Sequence, residues 1–226
     1  RCVMQKVIHW SYLGERAIEI ASLSDEPNFY VGLSDFLKRK LILEIEDIYI
    51  TDHSITVQFK FALSLPVDDL IVLVEGYDHQ DDVISNQPVI SIPICYDSEF
   101  MMDAQHLQKQ LNLDFDSLIE LHLAGSYRVA MFGFMPGFPY LSGLNDLLSV
   151  PRLATPRKRV PKGAVAISNN MCGIYPNTSP GGWNIIGRSP FKLFDECDDP
   201  PVRLKLGQAV QFCRISKSEY DAYLGD

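Results

Sequence analysis

Glycine and proline recur throughout the second half of the chain at intervals too short for a long helix. Between them lie short apolar runs, at residues 129–134, 164–168, 191–194 and 210–215. Short strands joined by tight turns are typical of antiparallel sheets, because a hairpin connects neighbouring strands with few residues. From Tyr127 onward the sequence therefore predicts an antiparallel barrel or sandwich.

The first third of the chain has a different pattern, in which strands and helices alternate. Two segments carry apolar residues at helical spacing, one at residues 30–41 and one that begins at Pro66. Short strands are predicted at 3–9 and 17–21, joined by a turn around Gly14, and runs rich in β-branched and aromatic residues predict strands at 45–51 and 55–61. The order of strand, helix, two strands, helix and strand is that of a split β-α-β (ferredoxin-like) domain. The chain is therefore predicted to belong to the α+β class.

A polar, turn-rich segment at residues 78–88 separates these two parts. We place the domain boundary there, which gives an N-terminal α/β domain of residues 1–86 and a second domain of residues 87–226. The second domain is predicted to begin with one strand and two helices, at 89–95, 103–111 and 115–123. Asp114 is expected to cap the second of these helices.

The charge and the cysteines of the chain exclude several classes of protein. A net charge of −9 and a pI near 5.0 argue against nucleic acid as a partner. No apolar run approaches the roughly 20 residues that span a bilayer, and residues 1–11 lack the pattern of a secretory signal. The five cysteines lie far apart and form no CxxC pair, which favours free thiols in a reducing compartment. The predicted location is the cytoplasm, with no membrane as a partner.

Several familiar catalytic motifs are missing from the sequence. It contains no GxxxxGK[ST] loop for nucleotide phosphates, no GxSxG turn around a serine and no histidine pair at HExxH spacing. The sequence therefore predicts no metal site. Chemistry would have to come from loops and from single side chains.

The segment at residues 132–141 alternates aromatic residues with glycine and proline, which leave a loop little conformational freedom to lose. One interpretation is the wall of a small-molecule pocket, in which backbone N–H groups bind an anionic or carbonyl oxygen. The residues of this wall would be Phe134, Pro136, Gly137, Phe138 and Tyr140. The alternative, to which we give equal weight, is a tight barrel corner with its rings in the core.

Cations and one tryptophan extend this interpretation to two later segments. Residues 151–162 carry five cations and no acid, which favours binding of phosphate, carboxylate or an acidic partner surface, with Arg157 and Arg159 as contacts. Trp183 follows a Pro-Gly-Gly turn, so that it either stacks on a substrate or closes the end of the barrel. Arg188 is a candidate carboxylate contact because a guanidinium group presents a fork of donors, although a surface position is commoner.

His122 lies among Phe115, Leu118 and Ile119 on its predicted helix. A histidine on an apolar face is most often a hydrogen-bonded core residue. The alternative is a general base whose pKa is set by partial burial. His122 is therefore the candidate for proton transfer in a catalytic role.

A series of short blocks, all in one order, resembles the signature of a bacterial protein family. The most specific blocks are GFMPGFPYL at 133–141, SPGGW at 179–183 and IGRSP at 186–190. They resemble the family of the 5-oxoprolinase B subunit, which also includes the Kip-type histidine-kinase inhibitor and allophanate hydrolase subunit 1. The resemblance is dense over residues 89–215 and looser over the N-terminal third.

The resemblance implies an N-terminal α/β domain followed in sequence by a cyclophilin-like β-barrel. It also implies the 5-oxoprolinase C and A subunits as partners, with which such a chain would hydrolyse the lactam 5-oxo-L-proline to L-glutamate, using ATP shared with the partners. Two alternatives stay open within the family. One is a non-catalytic inhibitor of a sensor histidine kinase, and the other is a carboxyltransferase or allophanate hydrolase-type subunit in urea degradation. Residues 97–104 depart from the family pattern, and no catalytic residue is carried over.

The chemistry of such a reaction favours a shared site. Opening a lactam with ATP needs a phosphate site, a stabiliser for the oxyanion and a base. This chain offers candidates for the last two only. We therefore expect a chain that is inactive alone and that contributes half of a composite site.

Overall fold

The computed structural model describes residues 8–21, 29–51, 53–62, 66–77 and 88–225. The chain divides into two compact units, Arg1–Asn86 and Gln87–Asp226. None of the helices in the described ranges combines the length and the apolarity needed to cross a membrane.

The first unit is a four-stranded antiparallel sheet with two helices. Its elements are β1 (His9–Tyr12), β2 (Ala17–Ala21), α1 (Phe29–Lys40), β3 (Ile45–Ile50), β4 (Ser54–Phe59) and α2 (Val67–Glu75). The strands lie in the order β1-β2-β4-β3. Because β2 and β3 each pair antiparallel with β4 between them, β2, α1 and β3 form the predicted split β-α-β unit.

The strand at the far edge of this sheet differs from the prediction. β1 begins at His9 and pairs with β2, whereas residues 3–7 of the predicted first strand lie outside the described residues. The predicted hairpin around Gly14 is confirmed, because β1 pairs antiparallel with β2. The next strand described after α2 belongs to the second unit.

The helical spacing predicted at residues 30–41 is confirmed in α1. Tyr30, Leu33 and Leu37 are buried on one of its faces, while Lys38, Arg39 and Lys40 carry positive charge in its last turn. Cations at this end are stabilised by the helix dipole. In α2, Leu70 and Val74 are buried in the same way, and Pro66 precedes the helix as predicted.

The second unit is built around a closed seven-stranded barrel. The strands of this unit are β5 (Ile90–Cys95), β6 (Tyr127–Phe132), β7 (Pro139–Ser142), β8 (Arg157–Val160), β9 (Ala164–Ser168), β10 (Met171–Ile174), β11 (Ser179–Gly181), β12 (Asn184–Arg188) and β13 (Ala209–Ile215). The barrel order is β10-β7-β6-β13-β5-β12-β9, and β8 and β11 form a separate pair. The predicted α+β class is confirmed, with a barrel rather than a sandwich. Within the barrel, β5 and β13 pair in parallel, and the other neighbours pair antiparallel.

The two faces of each barrel strand have different neighbours. On β9, Val165 and Ile167 join the barrel core, to which all seven strands contribute, whereas Ala164 and Ala166 join a second apolar cluster. Since successive side chains of a strand point to opposite faces, this second cluster lies on the outer surface of the barrel.

Three helices complete the second unit: α3 (Ala104–Leu111), α4 (Phe115–Leu123) and α5 (Lys217–Gly225). Asp114 caps α4 as predicted, because its carboxylate accepts the Ser117 N–H at 2.7 Å. His122 on α4 reaches the barrel core, where it contacts Cys172 on β10 and Phe212 on β13.

Candidate functional site

Five rings form a continuous patch on the outer face of the barrel, which we call the outer aromatic cluster: Phe134, Phe138, Tyr140, Tyr175 and Trp183. Their centroids lie 5.0 to 6.1 Å apart and the rings meet edge to face. This is the preferred geometry for aromatic pairs. The sequence blocks at 133–141 and 179–183 therefore converge at one place.

Small residues beneath the rings allow this packing. Ala164 and Ala166 of β9 lie in the same apolar cluster as the rings. A Cβ on Gly173 would stand 2.8 Å from the Phe138 ring and 3.1 Å from the Trp183 ring, so only glycine fits there. A strand residue without a side chain thus lets two large rings approach the barrel wall.

The loop between β6 and β7 combines the two interpretations offered for it. Phe138 is 1% exposed and belongs to the core of the cluster, as a barrel corner would require. Phe134 is 59% exposed and has a φ of 65°. A bulky residue at positive φ is strained, and such strain often marks a functional site.

The backbone N–H groups of this loop do not have the role that the pocket interpretation gave them. The N–H groups of Gly133, Met135 and Phe138 donate to carbonyls within the loop, so they do not face a ligand. Gly137 has a φ of 77° and is buried against Phe194. Pro136 is exposed at the tip. The loop therefore offers a ligand its aromatic rings, because these three amides already donate hydrogen bonds within the loop.

Arg157 joins the outer aromatic cluster to α3 through a buried ion pair. Its Nη2 bonds Asp103 Oδ1, and Asp103 Oδ2 accepts the Ile185 N–H at 2.7 Å. A bulge between Ile185 and Gly187 on β12 exposes the Ile185 amide to this carboxylate. Asp103, predicted as the first residue of a helix, serves here as an ion-pair partner and makes no side-chain cap.

The other terminal nitrogen of Arg157 stands out in this arrangement. Its Nη1 is buried and has no hydrogen-bond partner among the described residues. A buried donor without a partner is costly, and native proteins rarely leave one unused. Arg157 Nη1 is therefore a donor that an outside acceptor could use only if the atoms covering it moved aside.

Tyr175 connects this guanidinium to the rings. Arg157 pairs with Gly181 across β8 and β11, and the Tyr175 hydroxyl lies under Gly181. Burial raises the pKa of Tyr175, while a hydrogen bond to the Trp183 backbone and the charges of Arg152 and Arg157 oppose that rise. The two arginines thus place positive charge beside the aromatic rings.

Arg188, another predicted anion contact, has different partners. Arg188 donates from Nε to the Lys162 carbonyl, and its guanidinium lies 5.5 Å from the Phe100 ring centroid and 6.0 Å from that of Tyr220. Its contacts are therefore with these rings and not with the outer aromatic cluster. Arg159 is exposed on β8.

His122 is inaccessible to a substrate in this structure. It is 0% exposed, and its Nδ1 lies 2.8 Å from the Tyr96 hydroxyl and its Nε2 3.3 Å from Cys172 Sγ. Burial lowers the pKa of His122 to about 3 and raises that of the Cys172 thiol. These contacts fit the interpretation of a core histidine, so we give it no part in proton transfer below.

Trp183 is a mostly buried member of the outer aromatic cluster. Trp183 is 7% exposed and packs on the outer face of the barrel, against Phe138 and Tyr140. Within the described ranges, no group of three or more metal-binding side chains is found.

Sequence reasoning missed Asp103, Tyr175 and the Arg152 charge beside it. Tyr175 lies in a short apolar block with no chemical signature, and Asp103 resembles an ordinary helix start. Arg152 belongs to the run of cations at 151–162 but was not singled out. The spacing of the prolines in that run indicated an extended segment, and this was the one sequence feature that could have suggested its position near the rings.

The sequence has clear relatives. Residues 9–204 match the family model described as carboxyltransferase domain, subdomain C and D. The chain is 40% identical to the 5-oxoprolinase B subunit of Bacillus subtilis (strain 168) over 143 residues, which are 63% of this chain and 60% of that relative. It is 35% identical to the 5-oxoprolinase B subunit of Escherichia coli O157:H7 over 160 residues, covering 71% of this chain and 73% of that one.

Solved structures have the same fold. The crystal structure of TTHA0988 superposes with a TM-score of 0.74 at 30% identity and covers 88% of this chain, which spans 40% of that longer chain. The urea carboxylase of Kluyveromyces lactis superposes with a TM-score of 0.72 at 16% identity, over 95% of this chain and 22% of its own. At that identity the likeness concerns the fold alone.

Proposed function

This chain belongs to the family of carboxyltransferase domains, subdomains C and D, together with the 5-oxoprolinase B subunit, and on this basis we propose that it is the B subunit of an ATP-dependent 5-oxoprolinase. The complex would open 5-oxo-L-proline to L-glutamate. The C and A subunits would be its partners. The sequence matches to two such B subunits support this proposal.

The candidate site suits the substrate in shape and charge. 5-Oxoproline is a small flat ring that carries a carboxylate. A ring can lie against exposed Phe134. The carboxylate or the lactam oxygen would accept from Arg157 Nη1 after the atoms that bury this nitrogen move aside. The unpaired, buried Arg157 donor beside the outer aromatic cluster is the observation that carries this assignment.

The nucleotide fits this chain less well. The sequence has no Gly-rich phosphate loop ending in lysine, and the amides of Gly133, Met135 and Phe138 are already bonded. We therefore assign ATP to the partner subunits. In this proposal the chain binds and orients the substrate, and the partner completes the site.

Reconstitution tests the proposal directly. The purified chain alone is expected to release no glutamate from 5-oxoproline. Adding the C and A subunits with ATP is expected to give glutamate, and omitting ATP or either partner should abolish it. Turnover by the isolated chain would contradict the composite site, and an inactive complete mixture would contradict the assigned reaction.

A substitution at Phe134 separates binding from folding. Phe134→Gly removes the exposed ring, while glycine takes the positive φ of this position without strain. We expect the free energy of unfolding to stay within about 1 kcal/mol and reconstituted turnover at low substrate to fall about fivefold to tenfold. The measurements are urea unfolding and glutamate release.

The matched control for Phe134→Gly is Asn169→Gly, which also stands at positive φ but outside the cluster. It should leave turnover unchanged. Equal reconstituted turnover of the two variants would show that Phe134 does not bind the substrate.

A second candidate function is carboxyl transfer of the urea carboxylase type. The description of the family model favours it. Supplying the chain with a carboxylated biotin donor and urea distinguishes the two functions, since only this second function predicts consumption of the donor. The names of the two 5-oxoprolinase relatives give no support to the alternative of a kinase inhibitor.

A further inference from the structure

A cleft of about 550 Å³ opens in the second unit between α3, α4 and the loop after β5. It shares no lining residue with the outer aromatic cluster. Tyr96, Met101 and Ile119 are buried and form its floor, whereas Met102 and Phe115 on the rim are 49% and 41% exposed. The volume lies within the roughly 300–1,000 Å³ that is typical of small-molecule sites.

The floor of this cleft offers apolar contacts. The polar atom of Tyr96 is engaged by His122, whose Nδ1 lies 2.8 Å from the hydroxyl. Its ring is thereby fixed, and Met101 and Ile119 surround it with hydrocarbon and thioether surface. Methionine adapts to ligands of different shape, because its side chain is flexible and polarisable.

One cation and one anion line the cleft, Arg214 on β13 and Asp116 on α4. The two charged groups are 3.8 Å apart, too far for a hydrogen bond. Arg214 is 54% exposed and Asp116 84%, so water screens the carboxylate more strongly than the guanidinium. The Arg214 charge opposes the rise that burial causes in the pKa of Tyr96, which shows that it acts on the floor.

We propose that this cleft binds a small apolar carboxylate. The hydrocarbon part would lie on Tyr96, Met101 and Met102, and the carboxylate would be bound by Arg214. The site is distinct from that of the proposed reaction, since the cleft and the outer aromatic cluster share no lining residue. The cleft therefore provides a second, independent site.

Methionine methyl groups give a direct readout of this site. The chain has six methionines; Met101 and Met102 line the cleft, while Met135 and Met171 pack against the outer aromatic cluster. Octanoate added to protein labelled with ¹³C-methyl methionine is expected to shift the Met101 and Met102 signals with a dissociation constant of about 1 mM or tighter. The Met135 and Met171 signals should stay in place.

Two comparisons test the charge. Octylamine, which matches octanoate in length, should bind at least about tenfold more weakly, and Arg214→Gln should weaken octanoate about tenfold. The control is Arg203→Gln, an exposed arginine paired with Asp198 outside the cleft. Unmoved Met101 and Met102 signals would overturn the site. Equal binding of the amine, or an unchanged affinity in Arg214→Gln, would overturn the carboxylate as its ligand.

Discussion

Replacing Asp103 by alanine is expected to destabilise the second unit by about 3–5 kcal/mol, because the change leaves a charged guanidinium partly buried without its partner. Asp103 is 5% exposed and binds both Arg157 and the Ile185 amide. Its loss therefore leaves two buried donors unsatisfied. Urea unfolding in a Trp10→Phe background, followed by the fluorescence of the remaining Trp183, measures the effect within the second unit.

The double variant Asp103→Leu with Arg157→Met is the sharper comparison. It removes both charges together, so we expect it to be less destabilised than Asp103→Ala alone. Asp198→Ala serves as the control, since Asp198 pairs with Arg203 at the surface and its loss should cost less than about 1 kcal/mol. If Asp103→Ala lowers the free energy of unfolding by no more than Asp198→Ala does, the Asp103–Arg157 pair contributes little to stability.

Acid is expected to destabilise the second unit through His122. Burial lowers the pKa of His122 to about 3 in the folded state, whereas the unfolded residue titrates near its ordinary value of 6.5. Between these values the unfolded state binds a proton that the folded state excludes, so stability is full above pH 6.5 and falls as the pH drops toward 3. The loss between pH 7 and pH 4 should be about 3 kcal/mol.

The difference between wild type and His122→Gln isolates this contribution. Glutamine keeps a donor and an acceptor without a titrating group, so the variant should lose about 3 kcal/mol less than wild type between the two pH values. Carboxylates affect both proteins equally. The exposed histidine at position 106 provides the matched control, His106→Gln. Parallel pH profiles of wild type and His122→Gln would contradict a buried neutral imidazole.

The barrel and the helices were predictable because their signals are local. The short apolar run of β9 and the spacing in α1 are properties of a few neighbouring residues, and the Asp114 cap needs only the residues next to it. The bounds of β1, predicted at 3–9 and observed at His9–Tyr12, were not predictable in this way. They depend on the register of the hairpin with β2, which the residues of β1 alone do not specify.

The candidate site shows the same limit. The aromatic blocks indicated rings at Phe134, Phe138 and Trp183, and the structure brings them together. Arg188 was predicted as an anion contact of the same site, but β12 extends roughly 13 Å from Asn184 to Arg188 and carries it away from Trp183. The Asp103–Arg157 pair joins distant segments and has no local signature.

The parallel pairing of β5 with β13 has a consequence for synthesis of the protein. Val210 pairs with Ile90 and Ile215 with Cys95, so β5 is synthesised long before the strand it pairs with, β13. A nascent chain that has emerged only as far as β12 leaves one side of β5 open to aggregation with other strands. The barrel can therefore close only after β13 has been synthesised. Refolding of the intact second unit should be slow for its size, because the contact that closes the barrel joins residues far apart in sequence.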